Sequence, residues 1–329
     1  MADISKIRAL HDFKENFDLS DQVLKSYIAQ LAEDDQGTVD RFFSGFEIED
    51  WFEAIFGIMP WTRLLHSLSQ RQIPTRSKTD FQVPDFSAFI ETSKFKSEPL
   101  LIEVKRVSGM KRTLKLRKSQ VLPTKEYADV LGIPLVYAIY WDFSRSWTLN
   151  TIDVFENKSS TYKLSIGAAV GFDCSLVFGD ISFLVAKKLT RTQIFTSDLD
   201  ESSSIAHDSY GALVSDQLIV EKTSHSLSTR ETAALDAVID FHETSKTADG
   251  PKTIIQSQTR DNSLFRLSGG ITKYLSLFEI APTELVANAA AQEIIQLMER
   301  ICIERGMVYP TDCSAELAKL DGLFLHPES

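Results

Sequence analysis

Apolar positions near the start of the chain recur at helical spacing. Val23-Leu24, Tyr27-Ile28 and Leu31 follow the N-cap candidate Ser20-Asp21 and precede Gly37. A second helix is predicted from Val39 through Phe42-Phe43, Phe46, Ile48, Trp51-Phe52 and Ile55-Phe56, ending near Gly57 and Pro60. Its many aromatics read as helix packing rather than as a base-stacking surface. The period then changes. Residues 81–90 and 99–107 are strand-like and flank a polar turn, which predicts a hairpin. A basic run, residues 111–118, leads through Gln120 to a helix closed by Gly132. Residues 133–141 form a continuous apolar run, the pattern of a buried strand, with its partner expected between Trp147 and Phe155. A short helix is expected within 163–178 and a strand over 181–186.

Beyond residue 196 the composition turns to Ser, Asp and Glu, with 212–220 readable as strand or short helix. This stretch is expected to separate two domains. The last hundred residues read as helical: 231–242, 264–278 (broken at Gly269-Gly270) and 284–305. Residues 231–242, 253–258 and 263–277 could be three helices of a helix-turn-helix-like unit, but 229–329 shows no dense Lys/Arg face for a DNA backbone. A dimerisation or partner-binding role fits that region at least as well. The expected organisation is therefore an α/β domain over 1–195, a polar linker over 196–230 and a smaller, mainly helical domain over 231–329.

Composition removes several classes of function. No run of about 18 apolar residues exists, so no membrane span is expected. The N-terminus lacks the apolar core of a secretory signal. Cys174, Cys302 and Cys313 are odd in number and far apart, so a reducing cytoplasm is the expected setting. The six histidines show no zinc spacing, and no phosphate-binding Gly-x-x-x-x-Gly-Lys loop occurs.

Charge changes the picture more. The chain carries a net −11, yet residues 61–125 hold fourteen Lys and Arg against five Asp and Glu, a local +9. Within that basic island, Asp85 and Glu103 sit in apolar strands, where an unpaired charge is costly. If the hairpin places both on one face, their carboxylates can share Mg²⁺ or Mn²⁺, cations that accept a few oxygen ligands and keep several waters. The Val104 carbonyl could add a third oxygen. Lys105, two residues from Glu103, projects from the same face and could orient water or neutralise charge on phosphorus. The competing reading makes Asp85 a turn cap and Glu103–Lys105 an exposed ion pair worth about 0–1 kcal/mol.

Pro84-Asp85 followed by Glu103-Val104-Lys105 in strand context resembles the PD-(D/E)xK superfamily of restriction-endonuclease-like nucleases, across roughly residues 40–190. The resemblance implies a mixed sheet flanked by helices and metal-dependent hydrolysis of phosphodiesters, with DNA as the expected partner. Asp85 and Glu103 would hold the metal, and Lys105 would act beside them. It further implies an acid on a helix some thirty residues upstream. Glu53 is the expected residue, a catalytic and metal-binding position, with Glu49 one turn earlier as the fallback. A glutamine on the following helix would correspond to Gln120, although Tyr127 departs from the Gln-x-x-x-Tyr spacing. Lys111, Arg112, Lys115, Arg117 and Lys118 are the expected phosphate-backbone contacts. The alternatives are an RNA nuclease and a catalytically inactive nuclease fold that binds DNA or serves as a scaffold.

Overall fold

The computed structural model describes residues 4–17, 21–31, 36, 39–70, 72, 74, 77, 79–92, 96–197, 206–207, 209–260, 263–300 and 308–310. Ser20, Gly37, Arg71, Arg76, Lys78, Lys94, Cys302 and Cys313 lie outside the described residues. So does most of the polar stretch 197–204 and the end of the helix expected over 284–305. The chain divides into two compact units, one ending at Gly179 and the other beginning at Asp180.

The first unit opens with helices α1 (Ile4–Phe17), α2 (Asp21–Ile28) and α3 (Val39–Gly57). Its strands are β1 (Thr62–Ser67), β2 (Phe86–Ile90), β3 (Glu98–Val107), β4 (Thr113–Arg117), β5 (Leu135–Trp141), β6 (Ser146–Asn150), β7 (Glu156–Asn157) and β8 (Thr161–Ser165). Helices α4 (Lys118–Leu131) and α5 (Ile166–Gly171) complete it. The main sheet runs β1-β2-β3-β5-β6. It is mixed: β2 and β3 form the expected antiparallel hairpin, whereas β3 and β5 are parallel. Parallel neighbours need a long crossover, and β4 with α4 supplies it. The basic run thus becomes part of the crossover. As the central strand, β3 is buried throughout 100–104, which is why Leu100-Leu101-Ile102 reads as a continuous apolar run.

Aromatics of α3 fill one face of this sheet. Phe52 lies 4.6 Å from Phe56, 5.5 Å from Phe86 and 5.8 Å from Trp147, measured between ring centroids. On the other face Val107, Tyr137, Ile139 and Trp141 pack against Leu114, Leu116 and Leu164 from a small antiparallel sheet ordered β4-β8-β7. Gly132 closes α4 in the left-handed conformation, φ 65°, as the sequence predicts.

The second unit departs from expectation. Its strands are β9 (Ser182–Val185), β10 (Thr190–Thr196), β11 (Ala206–His207), β12 (Gly211–Val220), β13 (Thr223–Ser226), β14 (Phe241–Asp249), β15 (Lys252–Thr259), β16 (Ser263–Arg266) and β17 (Val308–Pro310). Helices α6 (Thr229–Val238), α7 (Leu267–Leu277) and α8 (Glu284–Met298) accompany them. One sheet is ordered β11-β12-β10-β15-β14, with β13 paired to β12, and a second β16-β9-β17. The division therefore falls before 196, the described part of 196–230 is mostly strand rather than linker, and the C-terminal region adds strands β14–β17 to its helices. The physical reason is long-range pairing. β10 has few apolar residues of its own but pairs with both β12 and β15. Buried charge helps to disguise the strands: Arg191 on β10 donates to Asp216 on β12 at 2.9 and 2.6 Å, and Thr232 donates to the same carboxylate at 2.8 Å. Residues 253–258, expected as helix, form β15, in a hairpin whose two-residue Gly250-Pro251 loop joins it to β14. Gly269-Gly270 does not break α7. A Cβ on Gly270 would come within 2.6 Å of Val238 Cγ1, so the glycine permits close packing of α7 on α6. Among the described residues no helix is long and apolar enough to cross a membrane.

Candidate active site

The β2/β3 register sets Phe86 opposite Ile102 and so carries Asp85 to the position opposite Glu103. The Val104 N–H donates to Asp85 Oδ2 at 2.8 Å, locking the carboxylate at the end of β2. Lys105 Nζ donates to Glu103 Oε1 at 2.6 Å and to the Val104 carbonyl at 2.8 Å, and lies 4.0 Å from Asp85 Oδ2. One ammonium therefore sits among three oxygens from the residues expected to hold a cation. Glu103 is only 4% exposed, which removes the alternative of an ion pair on a solvated edge. Its second oxygen, Oε2, is buried without a hydrogen-bond partner.

Electrostatics reports the same crowding. Burial first, and then Asp85, push the Glu103 carboxyl up to about 7, against the opposing pull of Lys105. Burial likewise raises Asp85, opposed by Lys105 and by the Val104 amide. Lys105 stays a cation: the nearby Glu103 and Asp85 charges outweigh its desolvation and raise it above the ordinary lysine range.

On α3 it is Glu49, and not the expected Glu53, that interacts electrostatically with Asp85 and Lys105. Glu49 is pushed up to about 8, by burial first and next by Asp85, while Arg8 and Lys105 oppose the rise. Glu53 interacts instead with Asp50, Arg8 and His66. The two lie one turn apart on α3, about 5.4 Å along the helix axis. Arg8 of α1 orders this part of the site. It donates to Glu49 Oε2 at 3.1 Å and to Asp50 Oδ1 at 2.6 Å, and pairs with Asp12 at 2.9 Å. Nothing local in the sequence ties Arg8 to Glu49, forty-one residues away.

Gln120 does not join the site. It is exposed, and its side-chain oxygen accepts the Arg117 N–H at 3.4 Å at the start of α4. The basic island divides. Arg63 pairs with Glu91, Arg106 with Asp142 and Glu47, and Lys125 with Asp129. Lys115 and Arg117 instead point outward from β4, alternating with buried Leu114 and Leu116. Arg112 lies over the Phe143 ring and Lys118 over Tyr162, while Lys111 is exposed in the turn before β4. Sequence reasoning missed Lys163, which β8 sets directly across from Lys115. Period-two alternation in 161–165 was the available signal.

The donor set suits a hard divalent cation. Every candidate ligand atom is oxygen, and Glu103 Oε2 is a buried acceptor still to be satisfied. Among the described residues no three His, Cys, Asp or Glu side chains are arranged to hold a metal by themselves. Asp85, Glu103 and the Val104 carbonyl would therefore share the cation with water.

No family model and no curated protein matches the chain. Among solved structures, it is similar to Hjc, a Holliday junction resolvase from the archaeal hyperthermophile Archaeoglobus fulgidus. The identity is 17% and the TM-score 0.29, over 43% of this chain and 99% of that one.

Proposed function

We propose that the first unit is a metal-dependent nuclease that hydrolyses phosphodiester bonds in DNA. The observation that carries the reading is the convergence of Asp85, Glu103 and Lys105 on one point, with a buried carboxylate oxygen unpartnered there. Embedding this much charge in a sheet is costly, and a polyanion cut with the help of a cation gives it a use.

Mg²⁺ or Mn²⁺, held by Asp85, Glu103 and the Val104 carbonyl, would supply Lewis acidity to a phosphate oxygen. Lys105, already aimed at the same point, would orient the attacking water or neutralise the charge that builds on phosphorus. Glu49, held by Arg8, faces Asp85 and would accept a proton from that water through its raised affinity for protons. Lys111, Arg112, Lys115, Arg117, Lys118 and Lys163 would track the phosphate backbone with a salt-dependent affinity.

The test is cleavage of linear, nicked, branched and single-stranded DNA, with RNA alongside, in Mg²⁺ and in Mn²⁺. Wild type should cut DNA, while Asp85→Ala and Lys105→Ala should not. Cleavage of RNA alone would reassign the substrate. Equal cutting by the variants would dismiss the site. One observation favours a second reading: the Lys105 ammonium already satisfies Glu103 Oε1 and the Val104 carbonyl. A fold that binds DNA without cutting it would show salt-dependent binding and no thermal stabilisation by Mg²⁺.

A further inference from the structure

Tyr137 is buried to 1% exposure, and its hydroxyl has no hydrogen-bond partner. A buried tyrosine normally finds a partner for that group, and where none is needed phenylalanine packs as well. The neighbours of Tyr137 on most sides are apolar, with the Phe155 ring centroid 5.6 Å away. The β3/β5 register sets Tyr137 directly beside Glu103, on adjacent parallel strands and on the same face of the sheet. Glu103 is itself 4% exposed, and its Oε2 is likewise buried without a partner. One strand thus offers an unused buried donor where the next offers an unused buried acceptor.

We propose that Tyr137 is a positioning residue of the cation centre, its phenol donating to one lone pair of Glu103 Oε2 and so fixing the carboxylate that would hold the cation. The inference rests on reading Asp85 and Glu103 as that centre. The carboxylate is already held from its other side, since Oε1 accepts from the Lys105 ammonium. The ionisable groups that act on Tyr137 are Glu103 and Tyr162. Burial first, and then the Glu103 charge, hold the phenol above its ordinary range, so it remains a proton donor. Partners of this kind set the orientation of ligating carboxylates, and losing one typically weakens metal binding by about 10–100-fold.

Tyr137→Phe removes one oxygen and keeps the ring that fills the core. Mn²⁺ binding to the full chain is measured by calorimetry for wild type, Tyr137→Phe and Asp85→Asn, together with thermal unfolding in metal-free buffer. Wild type should bind Mn²⁺, Asp85→Asn should not, and Tyr137→Phe should bind about 10–100-fold more weakly. Affinity within twofold of wild type overturns the inference, whether or not the variant is less stable, because a purely packing role moves stability alone. Because deleting a truly unpartnered hydroxyl raises the unfolding temperature, such a rise with unchanged affinity would also count against the pairing. Absence of Mn²⁺ binding by wild type removes the cation centre and this inference together, whereas normal wild-type binding with an unaffected variant removes the inference alone. A Tyr137→Leu variant gauges how far affinity follows core damage. Its stability loss should exceed that of Tyr137→Phe, and an equal affinity loss in both would place the effect on the hydroxyl.

Discussion

Replacing Glu103 by Gln keeps the side-chain shape and removes the charge that β3 buries. Without a cation, the folded protein holds the Glu103 proton up to about pH 7, against an ordinary 4.5. Below pH 4.5 folded and unfolded chains both carry that proton, and it contributes nothing to the balance between them. Between pH 4.5 and 7 the unfolded chain releases it first, so stability falls with rising pH, and above pH 7 the deficit is complete. At about 1.4 kcal/mol per tenfold in proton affinity the deficit is about 3 kcal/mol, a ceiling because Glu103 titrates together with Asp85. In EDTA, Glu103→Gln should therefore match wild type near pH 4.5 and exceed it at pH 8. For a unit of this size the gain corresponds to roughly 6–12 °C in unfolding temperature. The assay is thermal unfolding from pH 4.5 to 8, with and without Mg²⁺. Magnesium should stabilise wild type at pH 8, where the carboxylates are free of protons, and leave Glu103→Gln unmoved. A variant less stable than wild type at pH 8 in EDTA, or a difference that ignores pH, would refute the reasoning.

Three other outcomes follow from the same geometry. Glu49→Gln should lower the metal-dependent cleavage rate by at least tenfold while Glu53→Gln stays within about threefold, measured as kcat on one DNA substrate; the reverse order would restore Glu53 to the centre. Changing Lys115, Arg117 and Lys163 together to Glu should weaken DNA binding at every sequence tested. The slope of log affinity against log salt should become shallower by about one for each phosphate left without its basic side chain, read by fluorescence anisotropy. Gly270→Ala should destabilise the second unit by about 1–3 kcal/mol in urea unfolding, since the new methyl meets Val238.

Much of the first unit could be read from local pattern. The hairpin, the helix closed by Gly132 and the apolar strand 135–141 each follow from a period of two or of 3.6, and from Gly as a helix stop. Asp85, Glu103 and Lys105 were legible for a related reason: they lie on the two strands of one hairpin, where register follows from alternation across a short turn. The register of separate elements is a different matter. Whether Glu49 or Glu53 reaches Asp85 depends on how far α3 slides along the sheet, and the aromatic packing of Phe52 and Phe56 decides that. Gln120 had the right residue type on the right helix, yet the helix start claimed its side chain.

The second unit shows the limit from the other side. Thr190–Thr196 is too polar to announce a core, Gly211–Val220 reads equally as strand or short helix, and the strand between 252 and 259 is short enough to pass for two turns of helix. They become a sheet because each is paired by a partner far along the chain and because Arg191 neutralises Asp216 within it. The amino-acid order by itself determined the hairpin, the helix closed by Gly132, the strand 135–141 and which charges stand in those strands, since periodicity, caps and turns act over a few residues. The tertiary structure alone decided which distant groups meet those charges: Arg8, Glu49 and Tyr137 arrive through helix packing and a parallel crossover, and no local pattern encodes the distance between them.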